Sequence, residues 1–264
     1  MSKKSYLLNY DLVRAAVNEK YLDWIAIYSE VESLVREQQF NKEFRVEGLQ
    51  HLLVMVLFTR TLSNTSAAML LAEHGYKVQC ETLLRTGLES LFSLVAIANN
   101  PKMAESFAQA SERELKRRVF KSKLWSQDLK ATVESRFNTE NFKKVESIAK
   151  STKAKSISTE EMAKAAGLHD LYLTAYTLFS GSVHVNIKEL EKQFVLNEDD
   201  SEIVGIQSGA IINDLDGLYL IACEILLKSL EAMEITFHID TKEFRSQIME
   251  RLALSMQTLS TPLN

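Results

Sequence analysis

Two prolines, Pro101 and Pro262, are all that the 264 residues contain, and glycine occurs only eight times. Hairpins and sandwiches need turn residues at short intervals, so a chain this poor in them is left with long helices joined by short loops. A hydrophobic fraction of 46% supplies a substantial core. The expected fold is all-α: a multi-helix bundle of about nine or ten helices with no substantial sheet.

Spacing along the chain fills in the elements. Tyr10, Val13, Val17, Tyr21, Trp24, Tyr28, Val31 and Val35 recur at three and four residues and predict one long first helix. Its single stripe is longer than a small bundle needs, so residues 1–45 are expected to form a dimerisation arm and 46–264 a single helical domain. Val46 to Leu62 is apolar nearly all round, and Ser63-Asn64-Thr65-Ser66 reads as a break with capping chemistry before a short helix ending at His74-Gly75. A further apolar helix is expected over 76–98, closed by Asn99-Asn100-Pro101. Two charged helices follow, over 101–123 and 126–150, and then a polar stretch, 151–159, that reads as a mobile linker. Ser158 with Glu161 forms a capping box, and Gly167 stands at a C-cap position. Ile203 to Ile206 is too short to decide between strand and connector, Ile211 to Ile235 predicts a core helix, and Asp240 with Glu243 opens the last one.

Cys80 and Cys223 sit in apolar helical runs without metal-spaced partners, which predicts buried free thiols. No signal-peptide core follows Lys3-Lys4, and the longest unbroken apolar run, Leu52 to Phe58, is far short of the ~18 residues of a span. A cytoplasmic protein with no membrane partner is expected. There is no P-loop, Rossmann glycine fingerprint, zinc spacing or paired-histidine motif, so neither a metal nor a cofactor is expected.

Chemistry concentrates in two places. Tyr172, Tyr176, Ser180 and His184 recur every fourth residue, and on a helix Tyr176, Ser180 and His184 line one wall. Glu81, Arg85 and Glu89 stand at the same spacing among Leu83, Leu84, Leu88, Leu91 and Phe92. A charge on so apolar a helix must be held by partners, and the tyrosine, serine and histidine ladder has the groups to hold it. Arg85 is therefore expected to meet Tyr176, Ser180 or His184. The cluster reads equally as a functional pocket of Arg85, Glu89, Tyr176, Ser180 and His184, with those residues as catalytic candidates, and as a buried network that fixes helix register. A serine-hydrolase reading of Ser180 is weak, because no strained elbow surrounds it and a mid-helix serine tends to bond its own backbone.

The net charge of −4 is unevenly placed: residues 113–155 hold thirteen Lys/Arg against five Asp/Glu. Arg113, Arg117 and Lys121 share one side of a helix, with Lys116 beside them, a stripe able to neutralise phosphates and so a candidate RNA contact. Interleaved Glu112 and Glu114 favour a solvated helix face over that contact.

The order Arg85 to Glu89, then Glu112-Arg113-Glu114, then Met162 to Leu168, then Tyr172, Tyr176, Ser180 and His184 resembles the bacterial family known as domain of unknown function 5677. The resemblance runs from about Leu52 to Leu190 and implies an all-helical bacterial protein in a family with no settled activity. That helical build is itself similar to the HEPN domains of prokaryotic defence and toxin systems. Their ribonuclease signature, an Arg followed by four to six residues and then a His, is missing before His184, where Thr177, Leu178 and Phe179 stand. Arg45 and His51 fit the spacing, but Val46 replaces the usual polar residue, and the pair reads as coincidence.

The expected function is a binding or regulatory module, in stress or phage defence by the resemblance, and homodimeric through the first helix. Two other readings stand beside it. One is a metal-independent ribonuclease in which His184 is general acid/base, Arg85 stabilises developing charge and the basic helix holds RNA. The other is a purely structural helical dimer.

Overall fold

In the computed structural model the described residues are 9–40, 44–122, 126–128, 156–183, 187–191, 193–197, 199, 201–207 and 209–259. The chain is an all-α multi-helix bundle with one small hairpin. In order it forms α1 (Tyr10–Lys20), α2 (Leu22–Phe40), α3 (Gly48–Glu73), α4 (Lys77–Asn99), α5 (Pro101–Ser122) and α6 (Thr159–Ala166). A continuous helical run follows, made of α7 (His169–Leu171), a π turn (Tyr172–Tyr176) and α8 (Thr177–Val183). Then come α9 (Ile187–Glu191), strands β1 (Phe194–Leu196) and β2 (Ile203–Ile206), α10 (Asp216–Phe237) and α11 (Lys242–Leu259).

The hub is α4, which packs on α3, α10, α6 and α8. From Ser90 to Ala98 it has no charged residue and every position is buried, so it can only lie inside the bundle. Each such aliphatic or aromatic side chain removed from water contributes about 1.5–3 kcal/mol. At Gly87 three helices converge: a Cβ there would stand 3.4 Å from Thr65 Oγ1 and 3.8 Å from Ile225 Cδ1. Gly75 turns the chain between α3 and α4 with φ of +77°, and its carbonyl accepts from the Ile211 amide at 2.9 Å. A Cβ at Gly75 would lie 2.4 Å from that of Ala210, so only glycine lets these segments touch.

Several boundaries differ from the sequence reading. The expected first helix breaks at Tyr21, where the backbone leaves the helical region and the phenol donates to the Ile212 carbonyl (3.0 Å) and accepts from the Leu215 amide (3.3 Å). Its stripe of Val17, Tyr21, Trp24, Tyr28, Val31 and Val35 is buried against the chain's own core, with α2 packing on α10 and α11. The expected break at Ser63–Ser66 is absent: α3 runs on to Glu73 because its hydroxyls find partners without leaving the helix. Thr61 and Thr65 donate to carbonyls four residues back, at 2.8 and 2.9 Å, and Ser66 bonds Glu32 at 2.5 Å. The predicted core helix starts at Asp216 rather than Ile211, since the Ile211 amide is drawn to Gly75. Of the second charged helix only 126–128, and of the polar stretch after it only 156–159, are among the described residues.

By length and composition α3 is the one described helix apolar enough to cross a membrane, with a mean hydropathy of 1.2 over an 18-residue stretch. An unbroken-run criterion misses this because Thr59-Arg60-Thr61 ends the run while the apolar residues on either side keep the average up. In the structure Val54, Leu57, Phe58, Leu62, Ala68 and Met69 of α3 are buried in the core. Cys80 and Cys223 are free and buried. Burial pushes the Cys223 thiol up to about 12 and the Cys80 thiol higher still, with Glu81 adding to the latter rise.

The predicted capping box opens α6. The Ser158 amide and hydroxyl donate to Glu161 Oε2 at 2.7 and 2.8 Å, and the Glu161 amide donates to Ser158 Oγ at 3.1 Å. Gly167 closes the helix at φ of +71°. Hydrogen bonds from the Ser158 backbone and then its side chain hold the Glu161 carboxyl below its ordinary value. That stabilisation is complete above the unfolded carboxylate pKa and is lost as pH falls through the lower, folded value. Ser158→Ala is expected to cost about 1 kcal/mol in urea unfolding at neutral pH. Glu161→Gln should also lose stability there, with the gap to wild type narrowing in acid; a gap constant with pH would contradict the assignment.

Candidate functional site

α4 and the π-turn helix meet through a ladder of polar contacts. Arg85 Nε donates to Ser180 Oγ at 3.1 Å, its Nη2 donates to the Tyr176 hydroxyl at 2.7 Å, and its Nη1 lies 3.1 Å from Glu89 Oε1. The Tyr176 hydroxyl in turn donates to Glu89 Oε1 at 2.9 Å, and Ser180 donates to the Tyr176 carbonyl at 2.7 Å. One turn earlier on α4, Glu81 accepts from Ser182. The expected meeting of Arg85 with Tyr176 and Ser180 is therefore present, and Glu89 joins it.

A stacked column supports these contacts. The Arg85 guanidinium carbon sits 4.7 Å from the centre of the Tyr176 ring, Tyr176 stacks on Tyr172 at 4.9 Å and 18°, and Tyr172 stacks on His169 at 5.9 Å and 9°. His169 Nε2 in turn lies 3.3 Å from Glu160 Oε1. The two tyrosines stack across the π turn, where the Thr177 amide reaches back five residues to the Tyr172 carbonyl and Thr177 Oγ1 joins it at 2.8 Å.

Electrostatics follow burial. Arg85's side chain is 19% exposed and Glu89's 37%. Burial pushes the Tyr176 phenol above its ordinary value; Thr159 pulls it back, and the Glu89 carboxylate adds to the rise. Tyr176 is thus a neutral donor at any physiological pH. Ser180 has its proton committed to a carbonyl and its oxygen to Arg85, which leaves it no base to activate it as a nucleophile among the described residues.

Residues 51–203, more than half of the chain, match the family of unknown function DUF5677. The chain belongs to that family. No curated protein and no solved structure matches it. The segment matched to DUF5677 carries Glu81, Arg85, Glu89, Tyr172, Tyr176, Ser180 and Ser182, so the whole ladder lies inside the family's own region, while α10 and α11 lie beyond it.

Other predicted residues are placed differently. His184 lies outside the described residues. Arg113, Lys116, Arg117 and Lys121 fall on α5, as a helix there requires, but their side chains are outside what the structure describes. Arg45 is exposed beside Glu47 (3.0 Å), while His51 Nδ1 accepts the Glu47 amide at 3.0 Å, so this pair's groups are turned to local contacts. Among the described residues no cluster of three His, Cys, Asp or Glu is arranged to hold a metal ion. Ser182, His169 and the π turn went unread in the sequence. Ser182 lies two residues past Ser180, off the i, i+4 register, and only its long-range partner Glu81 marks it.

Proposed function

We propose that this DUF5677 protein is a binding module whose ligand site is the exposed end of the Arg85 ladder, with Glu89 as the contact offered to the ligand. One observation carries this reading. Every nitrogen group of Arg85 has a partner within the chain, whereas both described contacts to Glu89 fall on Oε1, and the side chain is more than a third exposed. A carboxylate fixed by a guanidinium and a phenol, with Oε2 uncommitted among the described residues, suits a ligand that presents N–H donors or a cationic group. An Arg85 already spent on three partners is poorly placed to stabilise new charge in a transition state. The reading extends to regulation in stress or phage defence.

Thermal shift tests it, with nucleosides, nucleotides, spermidine and a single-stranded RNA as probes. At least one class should raise the melting temperature of the wild type by several degrees, and Glu89→Gln should abolish that shift while keeping the fold. No response across the set would remove the reading. Cleavage of the RNA in chelator, lost in His184→Ala, would replace it with the ribonuclease.

A further inference from the structure

The hairpin turns apolar side chains outward on one face. Phe194 stands opposite Ile206 and Leu196 opposite Ile203, with a bulge between Val195 and Leu196. Alternate residues of a strand share a face, so these four side chains form one apolar patch. Leu196 is 43% exposed, Ile203 58% and Ile206 69%.

Among the described residues the hairpin also has an unused edge. The Gln207 amide donates to the Gln193 carbonyl at 2.7 Å, which makes the adjacent Phe194–Ile206 pair the non-hydrogen-bonded kind. The main-chain groups of Ile206 therefore point away from β1. Among the described residues the sheet has only the two strands, β1 and β2. Two strands alone are marginal in water, and a free edge is a template for another strand.

We propose that β2 pairs edge to edge, antiparallel, with β2 of a second copy of this chain, closing a four-stranded sheet of order β1-β2-β2-β1 across a two-fold axis. The strand's own sequence selects that partner. Ile203-Val204-Gly205-Ile206 is uncharged, so two copies meet without like-charge repulsion. An axis between Val204 and Gly205 sets Ile203 against Ile206 and Val204 against Gly205, and the contact is complete after one step. A foreign strand would need charges or pockets to be chosen over others, and this edge carries no charge for that purpose. The stripe of α1 and α2 is already covered by the chain itself, whereas Ile203, Val204 and Ile206 of β2 are exposed. Four residues of pairing make a dimer that dissociates on dilution.

Sedimentation velocity of the full chain over a wide concentration range is the test, with helical circular dichroism as the fold control. The mass should climb from 30.0 kDa toward twice that value. Ile206→Pro deletes the outward amide without removing a bond to β1 and should weaken the dimer at least tenfold. Ile206→Thr keeps the amide and the β-branch and should stay within about threefold of wild type. A wild type that remains at the single-chain mass overturns the proposal, as does a dimer untouched by Ile206→Pro. Equal loss in both variants overturns it too, since the contact would then be apolar packing rather than strand pairing.

Discussion

Arg85→Ala is expected to lower stability by about 2–3 kcal/mol, or roughly 5–10 °C in melting temperature for a chain of this size. The substitution strands Glu89 without its cation and takes a donor from both Ser180 and Tyr176. Removing one member of a fully buried ion pair costs about 3–5 kcal/mol; the smaller figure reflects the exposure that remains at Glu89. The pair itself need not be stabilising. Arg85→Met combined with Glu89→Leu removes both charges and fills their space, so it should recover most of the loss. Guanidinium unfolding of the wild type and the two variants decides the matter. A change below about 0.5 kcal/mol in Arg85→Ala would mean that the ladder is solvated and holds nothing, and a double variant as unstable as the single one would mean that shape, not charge, is at stake.

How much of this was legible in the sequence depended on which physical signal each element gave. Helix α4 was readable because an all-apolar stretch flanked by a single charged ladder has no other place to go. The break at Tyr21 was not, since a one-residue turn leaves Val17, Tyr21, Trp24 and Tyr28 at their helical spacing, and periodicity cannot register a kink that preserves phase. The hydroxyls of Thr65 and Ser66 looked like caps because composition does not reveal whether an oxygen bonds forward to free amides, back to a carbonyl or across to another helix. The segment at Ile211 looked helical until Gly75, far away in sequence, claimed its amide.

The site divides along the same line. That Arg85 would need Tyr176 and Ser180 followed from the cost of an unpaired charge on an apolar helix, an argument that requires no coordinates. What it could not supply was phase. A π turn spans Tyr172 to Tyr176, and the stack runs on to His169, whose ring nitrogen meets Glu160 on another helix. Spacing rules assume one helical period, and a single inserted residue changes which side chains share a wall.

Phe92→Ala should have the largest effect of any single substitution near the site, about 3–5 kcal/mol. Phe92 is wholly buried on α4, and its ring meets Tyr176 edge-on at 6.0 Å and Tyr172 at 6.3 Å. Its loss leaves a cavity directly behind the tyrosine stack, so the damage should pass to the ladder through Tyr176. Phe58→Ala on α3 is the matched control: equally buried, of the same volume, and without a ring contact to either tyrosine. Both variants should fall in stability by similar amounts in urea unfolding. Only Phe92→Ala should speed solvent exchange of the Arg85 Nε proton, which NMR reads directly, because the phenol that helps to pin the guanidinium is then free to move. Phe92→Leu, which fills part of the void, should show both effects at reduced size. If the Arg85 proton exchanges as in the wild type while stability falls, the ladder is held by α4 and α8 alone, and the aromatic column has no part in positioning it.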